Sequence, residues 1–315
     1  GTLAANNGFN TTTAAVNGIL GGYATANAGA GWLVPSAAGS SALSGEVAMP
    51  LTGATSTVNY AVTATAATTA SQSVNALRLS PAAATTLTIG TGFTQTIVSG
   101  GILANGTFAG TITGGTLTAG VLNTANTLFV HQYNTALLTI SSVIANNGTG
   151  ALTLVKAGPG ALTLTNTGNS YSGGTIINGG ILNYAGAGEL AGGGTIILNG
   201  GALNGTATLT NSRAMTVNNV GGLSASASTT LTSSGILSGS GQLVIPATNA
   251  GTVLLSGVNT YTGGTAVAGG TVTIGNAAGL GTGALTTTGG TVNFNALTYF
   301  QGGNFTVNDG TVNLL

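Results

Sequence analysis

The chain runs to 315 residues, 56 of them glycine, with a charged fraction of 2% and zero formal net charge. Average soluble domains are about 25% charged, and a neutral chain has no electrostatic footprint for nucleic acid or for an anionic membrane surface. It has no cysteine, which excludes disulfides and thiolate metal sites.

Residues 1–75 hold the sole Trp32, Pro35 and Pro50, and Ala/Thr/Ser runs of weak periodicity such as 61–70. This stretch reads as an N-terminal cap or assembly arm, and Gly1-Thr2-Leu3-Ala4 as a processed start.

From residue 76 to 315 short segments alternate apolar and polar residues, as in Thr86-Leu87-Thr88-Ile89, Leu152-Thr153-Leu154, Leu162-Thr163-Leu164 and Thr271-Val272-Thr273-Ile274. Period two is the strand signal. Gly-Gly, Asn-Gly or Asn-Asn pairs bound the segments and suit tight turns. Gly173-Gly174 is followed by Gly193-Gly194, and Gly269-Gly270 by Gly289-Gly290. That spacing of roughly 20 residues matches one coil of a solenoid. Helix formers are scarce, no apolar run approaches the roughly 18 residues of a membrane helix, and mean hydropathy is +0.47, which argues against disorder. The expected fold is all-β: a parallel β-helix or β-solenoid rod with a less regular N-terminal segment. Leu162, Leu164, Ile176, Ile181, Leu254, Val272 and Ile274 are expected to point inward. Thr and Asn should stack outside in ladders, where stacked Lys or Glu would set like charges about 4.8 Å apart.

A longer unit recurs. Asn169-Ser170-Tyr171-Ser172-Gly173-Gly174-Thr175 returns as Asn259-Thr260-Tyr261-Thr262-Gly263-Gly264-Thr265, and Lys156-Ala157-Gly158-Pro159-Gly160-Ala161-Leu162-Thr163-Leu164 precedes the first copy. On these residues, 155–185 resembles the passenger-associated transport repeat, or autotransporter-associated β-strand repeat, of bacterial surface proteins. Residues 251–275 resemble a second copy that lacks the opening Lys-x-Gly-x-Gly. The resemblance implies an exported right-handed parallel β-helix; it does not imply an enzyme. A complete autotransporter would continue into a membrane barrel, whereas this sequence runs to Val312-Asn313-Leu314-Leu315.

Residues able to carry chemistry are few. His131 stands in an apolar strand, and the only acids are Glu46, Glu189 and Asp309, so neither a triad nor a carboxylate pair is indicated. No catalytic, cofactor-binding or metal residue is assigned, and no cofactor. Arg78 and Arg213 are expected to bond carbonyls at coil corners, and Lys156 to act structurally within its motif. Sequons at Asn10, Asn105, Asn147, Asn204 and Asn304 permit glycans. Scarce titratable groups lead to the expectation of stability nearly independent of pH between about 3 and 10.

A neutral surface without repulsion and uncapped terminal strands point to head-to-tail self-association. The expected joint comprises Gly1, Thr2, Leu3 and Phe9 with Asn304, Phe305, Val307, Val312, Leu314 and Leu315. The leading expectation is therefore a self-assembling extracellular fibre or sheath subunit, whose partner is itself, with no nucleic acid and no membrane insertion. The alternative is the passenger stalk of a larger bacterial adhesin or autotransporter. Both place it outside the cell or at the bacterial surface.

Overall fold

The computed structural model describes residues 17, 19, 21–22, 24–26, 29–36, 39–42, 46–191, 193–295 and 304–315. They fall into two compact units, Gly1–Gly174 with Ala191–Gly193, and Thr175–Leu190 with Gly194–Leu315. Each is a β-solenoid of short parallel strands, and no α-helix occurs among the described residues.

In the first unit one sheet runs in parallel register through Val47–Ala48, Asn59–Val62, Ala76–Leu79, Gly101–Ala104, Asn126–Gln132 and Leu152–Ala157. The parallel ladder thus already includes strands upstream of residue 76. Tyr60, Leu77, Ile102, Val130 and Lys156 lie side by side by this register and all are buried. The other faces come from Thr85–Ile97 and Gly110–Ala119, continued by Leu138–Ile140, Val143–Ile144 and Ala161–Leu164. The pairing of the two long strands shifts register between Gly114 and Thr116. Gly114 has a φ of 72°, a left-handed conformation open to glycine, and a Cβ there would collide with the Ile89 carbonyl. The strand turns a solenoid corner at that point.

The described residues between 17 and 36 do not join this ladder. Thr25–Ala26 pairs antiparallel with Gly31–Ser36, and this flap lies on the outer face of the sheet. Ile19 and Trp32 pack there against Ala76 and Leu103, with Tyr133 alongside. Small residues make the close approach possible: a side chain at Gly22 would meet the Gly101 backbone.

In the second unit Thr175–Ile177, Ile196–Leu198, Met215–Val217 and Leu237–Ser238 form one parallel face. Further faces run from Ile181–Tyr184 to Phe305–Leu314 and from Leu209–Asn211 through Thr230–Ser233, Thr252–Leu255 and Thr271–Ile274. Leu231, Val253, Val272 and Val292 stack in register, each fully buried. Such burial is worth about 1.5–3 kcal/mol per large aliphatic side chain. Outside, Asn183 and Asn204 bond side chain to side chain at 2.9 Å across 21 residues, and Asn293 and Asn313 at 2.9 Å across 20. Both ladders lie in the second unit and match the glycine rhythm. In the first unit the coil from Tyr60 to Leu77 is shorter, and later coils are longer: Asn147 donates to the Ala119 carbonyl across 28 residues.

Leu162, Leu164, Val272 and Ile274 face the core as expected. Ile176, Ile181 and Leu254 do not: each is only half-buried, and Ile177, Leu182 and Leu255 take the inward places. All three misplaced residues belong to apolar doublets, in which alternation fits either phase. The ladder decides the phase, because Ile177 pairs with Leu198, Leu182 with Leu203 and Leu255 with Ile274. A one-residue slip would turn every side chain of the strand over.

Candidate functional surface

The motif residues act between coils. The Asn169 side-chain oxygen accepts from the Ile144 amide at 2.8 Å, and that of Asn259 from the Leu237 amide at 2.9 Å. Asn259 also donates to the Gly279 carbonyl at 2.6 Å, so one amide satisfies the coil before it and the coil after it. Tyr171 and Tyr261 are fully buried, and the Tyr261 hydroxyl lies 2.5 Å from Thr265 Oγ1. Gly174 and Gly264 have φ values of 92° and 82°, which end the segment in the left-handed region. Asparagine, tyrosine and glycine thus fasten a turn to its neighbours rather than lining a site.

The opening of the second repeat is present, in altered form. Gly239-Ser240-Gly241-Gln242-Leu243-Val244-Ile245 parallels Gly158-Pro159-Gly160-Ala161-Leu162-Thr163-Leu164. Gly158 and Gly239 both have positive φ, 78° and 108°. Each would collide through a Cβ with a carbonyl of the preceding coil, that of Gln132 and that of Val217. Leu237 then corresponds to Lys156, and both side chains are fully buried. The two glycines and the alternation after them were the available signal; the missing lysine hid it.

Charged groups are dispersed, and among the described residues no three of His, Cys, Asp and Glu could hold a metal ion together. Arg78 differs from its expected role, since it pairs with Glu46 at 2.8 Å. Arg213 bonds the Leu190 and Gly194 carbonyls at 2.8 and 2.7 Å. The Glu189 carboxylate accepts from the Ala185 amide at 2.5 Å beside a short 3-10 turn, Ala187–Leu190. Lys156 donates to the Ala157 and Gly158 carbonyls at 3.0 and 2.8 Å, and burial lowers its pKa to about 7. His131 is 5% exposed, with Nε2 2.9 Å from the Gly22 carbonyl of the flap. Burial lowers its pKa to about 4, opposed by that hydrogen bond and assisted by the charge of Lys156.

Three sequon asparagines already use the atom to which a glycan would be joined. Asn105 Nδ2 donates to the Gly29 and Ala30 carbonyls, Asn147 Nδ2 to those of Ala119 and Gly120, and Asn204 Nδ2 to Asn183 Oδ1. Asn304 is exposed, and its carbonyl accepts from the Leu285 amide at 3.0 Å. Asn10 lies outside the described residues, as do Gly1, Thr2, Leu3 and Phe9 of the expected assembly joint. The remaining members of that joint belong to Phe305–Leu314 or border it. That strand pairs in parallel with Leu285–Phe294. Phe305, Val307, Leu314 and Leu315 are exposed there, while Val312 is half-buried beside Val292.

The passenger-associated-transport-repeat matches residues 154–183 and 236–274. The second match begins earlier than the sequence pattern alone suggested, at the Gly239-Ser240-Gly241 opening. A relative, "Adhesin BmaC autotransporter" of Brucella suis biovar 1 (strain 1330), is 44% identical over 143 residues, 45% of this chain. The chain spans 4% of that protein's length. No solved structure matches the chain. Residues 154–183 and 236–274 belong to the passenger-associated transport repeat family.

Proposed function

We propose that this chain is a stretch of the stalk of a bacterial surface adhesin passenger, a structural spacer rather than an enzyme. The observation that carries this reading is the similarity to an autotransporter adhesin, on a chain whose family motif residues serve coil-to-coil contacts. Parallel coils suit a spacer because each contacts chiefly its neighbours and can be repeated without limit. The reading as a head-to-tail fibre subunit gains no support from these similarities, which favour the alternative stalk. Sedimentation and negative-stain microscopy of the purified chain separate the two. Discrete particles at high concentration support the stalk; filaments whose axial repeat equals one chain would replace it with the fibre.

A further inference from the structure

We propose that His131 is an acid-sensitive latch, whose protonation releases the flap that carries Gly22, Thr25–Ala26 and Gly31–Ser36 from the outer face of the first unit's sheet and uncovers the strip of Ala76, Leu103 and Tyr133.

The geometry puts one imidazole between flap and sheet. By register His131 stands beside Leu103 on one side and Ala157 on the other. Trp32 of the flap meets its ring edge-on with centroids 6.0 Å apart, and Phe129 stacks on it at 6.2 Å. A neutral ring can donate from Nε2 to the Gly22 carbonyl, 2.9 Å away. Protonation places a charge on a ring that is only 5% exposed, and a buried charge without a counter-charge is costly. Gly22, whose carbonyl meets the ring, sits so close to Gly101 that a Cβ on either would meet the other's backbone.

The charges that act on the ring, Lys156 and the N-terminal amine, both oppose its protonation. The sequence from 17 to 36 contains no Asp, Glu, Lys, Arg or His. Lys156, on the adjacent strand Leu152–Ala157, is of like charge and lowers the His131 pKa. Arg78 lies two strands away in the same outward row and already holds Glu46 at 2.8 Å. Tyr133, two residues along, bears a hydroxyl 3.5 Å from Thr25. Burial places the pKa at about 4 against an ordinary 6.5. The docked state therefore binds fewer protons than the released one. Flap attachment is at full strength above about pH 6.5 and weakens as pH falls from there toward 4.

The chain contains one tryptophan and one histidine, so the reporter and the trigger are both unique. The experiment is an acid titration of the whole chain, read by Trp32 emission and iodide quenching, with far-UV circular dichroism alongside. The expected result is a red shift and a several-fold rise in quenching on acidification, while the β signal of the coils persists. His131→Gln, which can still donate to the Gly22 carbonyl but does not titrate, should keep Trp32 shielded at the same acid pH. His131→Lys should leave Trp32 exposed already at pH 7. The proposal is overturned if His131→Gln shows the wild-type transition. It is equally overturned if emission and β signal are lost together, or if Trp32 stays shielded throughout. Should His131→Lys not fold, the comparison of wild type with His131→Gln decides alone.

Discussion

Replacing Lys156 with leucine should stabilise the first unit at neutral pH. The ammonium occupies an inward row beside Val130, and the second repeat fills the corresponding position with Leu237, equally buried. Burial brings the pKa from 10.5 to about 7, a difference worth about 5 kcal/mol. Leucine forfeits the charge-assisted bonds to the Ala157 and Gly158 carbonyls, at about 1.5 kcal/mol or more each. A net gain of about 1–2 kcal/mol at pH 7 remains. The sign follows from the direction of the shift: the folded state holds the proton less tightly than the unfolded one. The cost of charging is complete below about pH 7 and disappears as pH rises toward 10.5. Urea unfolding followed by circular dichroism should show the wild type gaining stability between pH 7 and 10.5, and Lys156→Leu nearly flat across that range. A variant less stable than wild type at pH 7, or a wild type without that rise, would refute the reasoning. The same shifts alter the expectation drawn from scarce titratable groups. Few sites titrate, but His131 and Lys156 are buried bases, and each makes the folded state sensitive to protons.

The paired substitutions Ile177→Ala and Ile176→Ala test which member of the doublet faces the core. The first should cost about 2–5 kcal/mol and the second under about 1 kcal/mol, by denaturant midpoint. Asn259→Ala strands the Leu237 amide and the Gly279 carbonyl and should cost about 2–4 kcal/mol; a loss within about 0.5 kcal/mol would mean that Asn259 does not fasten the coils. Gly239→Val forces a β-branched residue into a left-handed conformation against the Val217 carbonyl, and should lower the melting temperature far more than Ser240→Val in the same turn.

Much of the fold was legible because strand alternation, paired glycines and the Asn-x-Tyr-x-Gly-Gly-Thr unit each report a local geometric demand. Doublets such as Ile176-Ile177 were not decidable, since their phase comes from a partner strand about one coil away. The opening of the second repeat was concealed by Leu237 in the place of Lys156: an inward position accepts either an aliphatic residue or a lysine whose ammonium bonds carbonyls. The flap was the least legible part. Its attachment rests on small residues, Gly22 against Gly101 and Ala76 beneath Trp32, which leave no periodic trace. For the same reason His131 read simply as a histidine in an apolar strand, although its outward side is covered by another segment.

The proposed function makes this chain a surface-displayed passenger segment. That reading is tested by inserting the chain between an export signal and an autotransporter barrel in a bacterial host, then labelling intact cells with an antibody to an epitope placed in its exposed turn at Val121–Thr124. The stalk reading predicts labelling of whole cells and release of a folded, β-rich chain when the junction to the barrel is cut by protease. Retention of the chain inside the cell envelope, or its degradation before display while a known passenger is displayed normally, would contradict it.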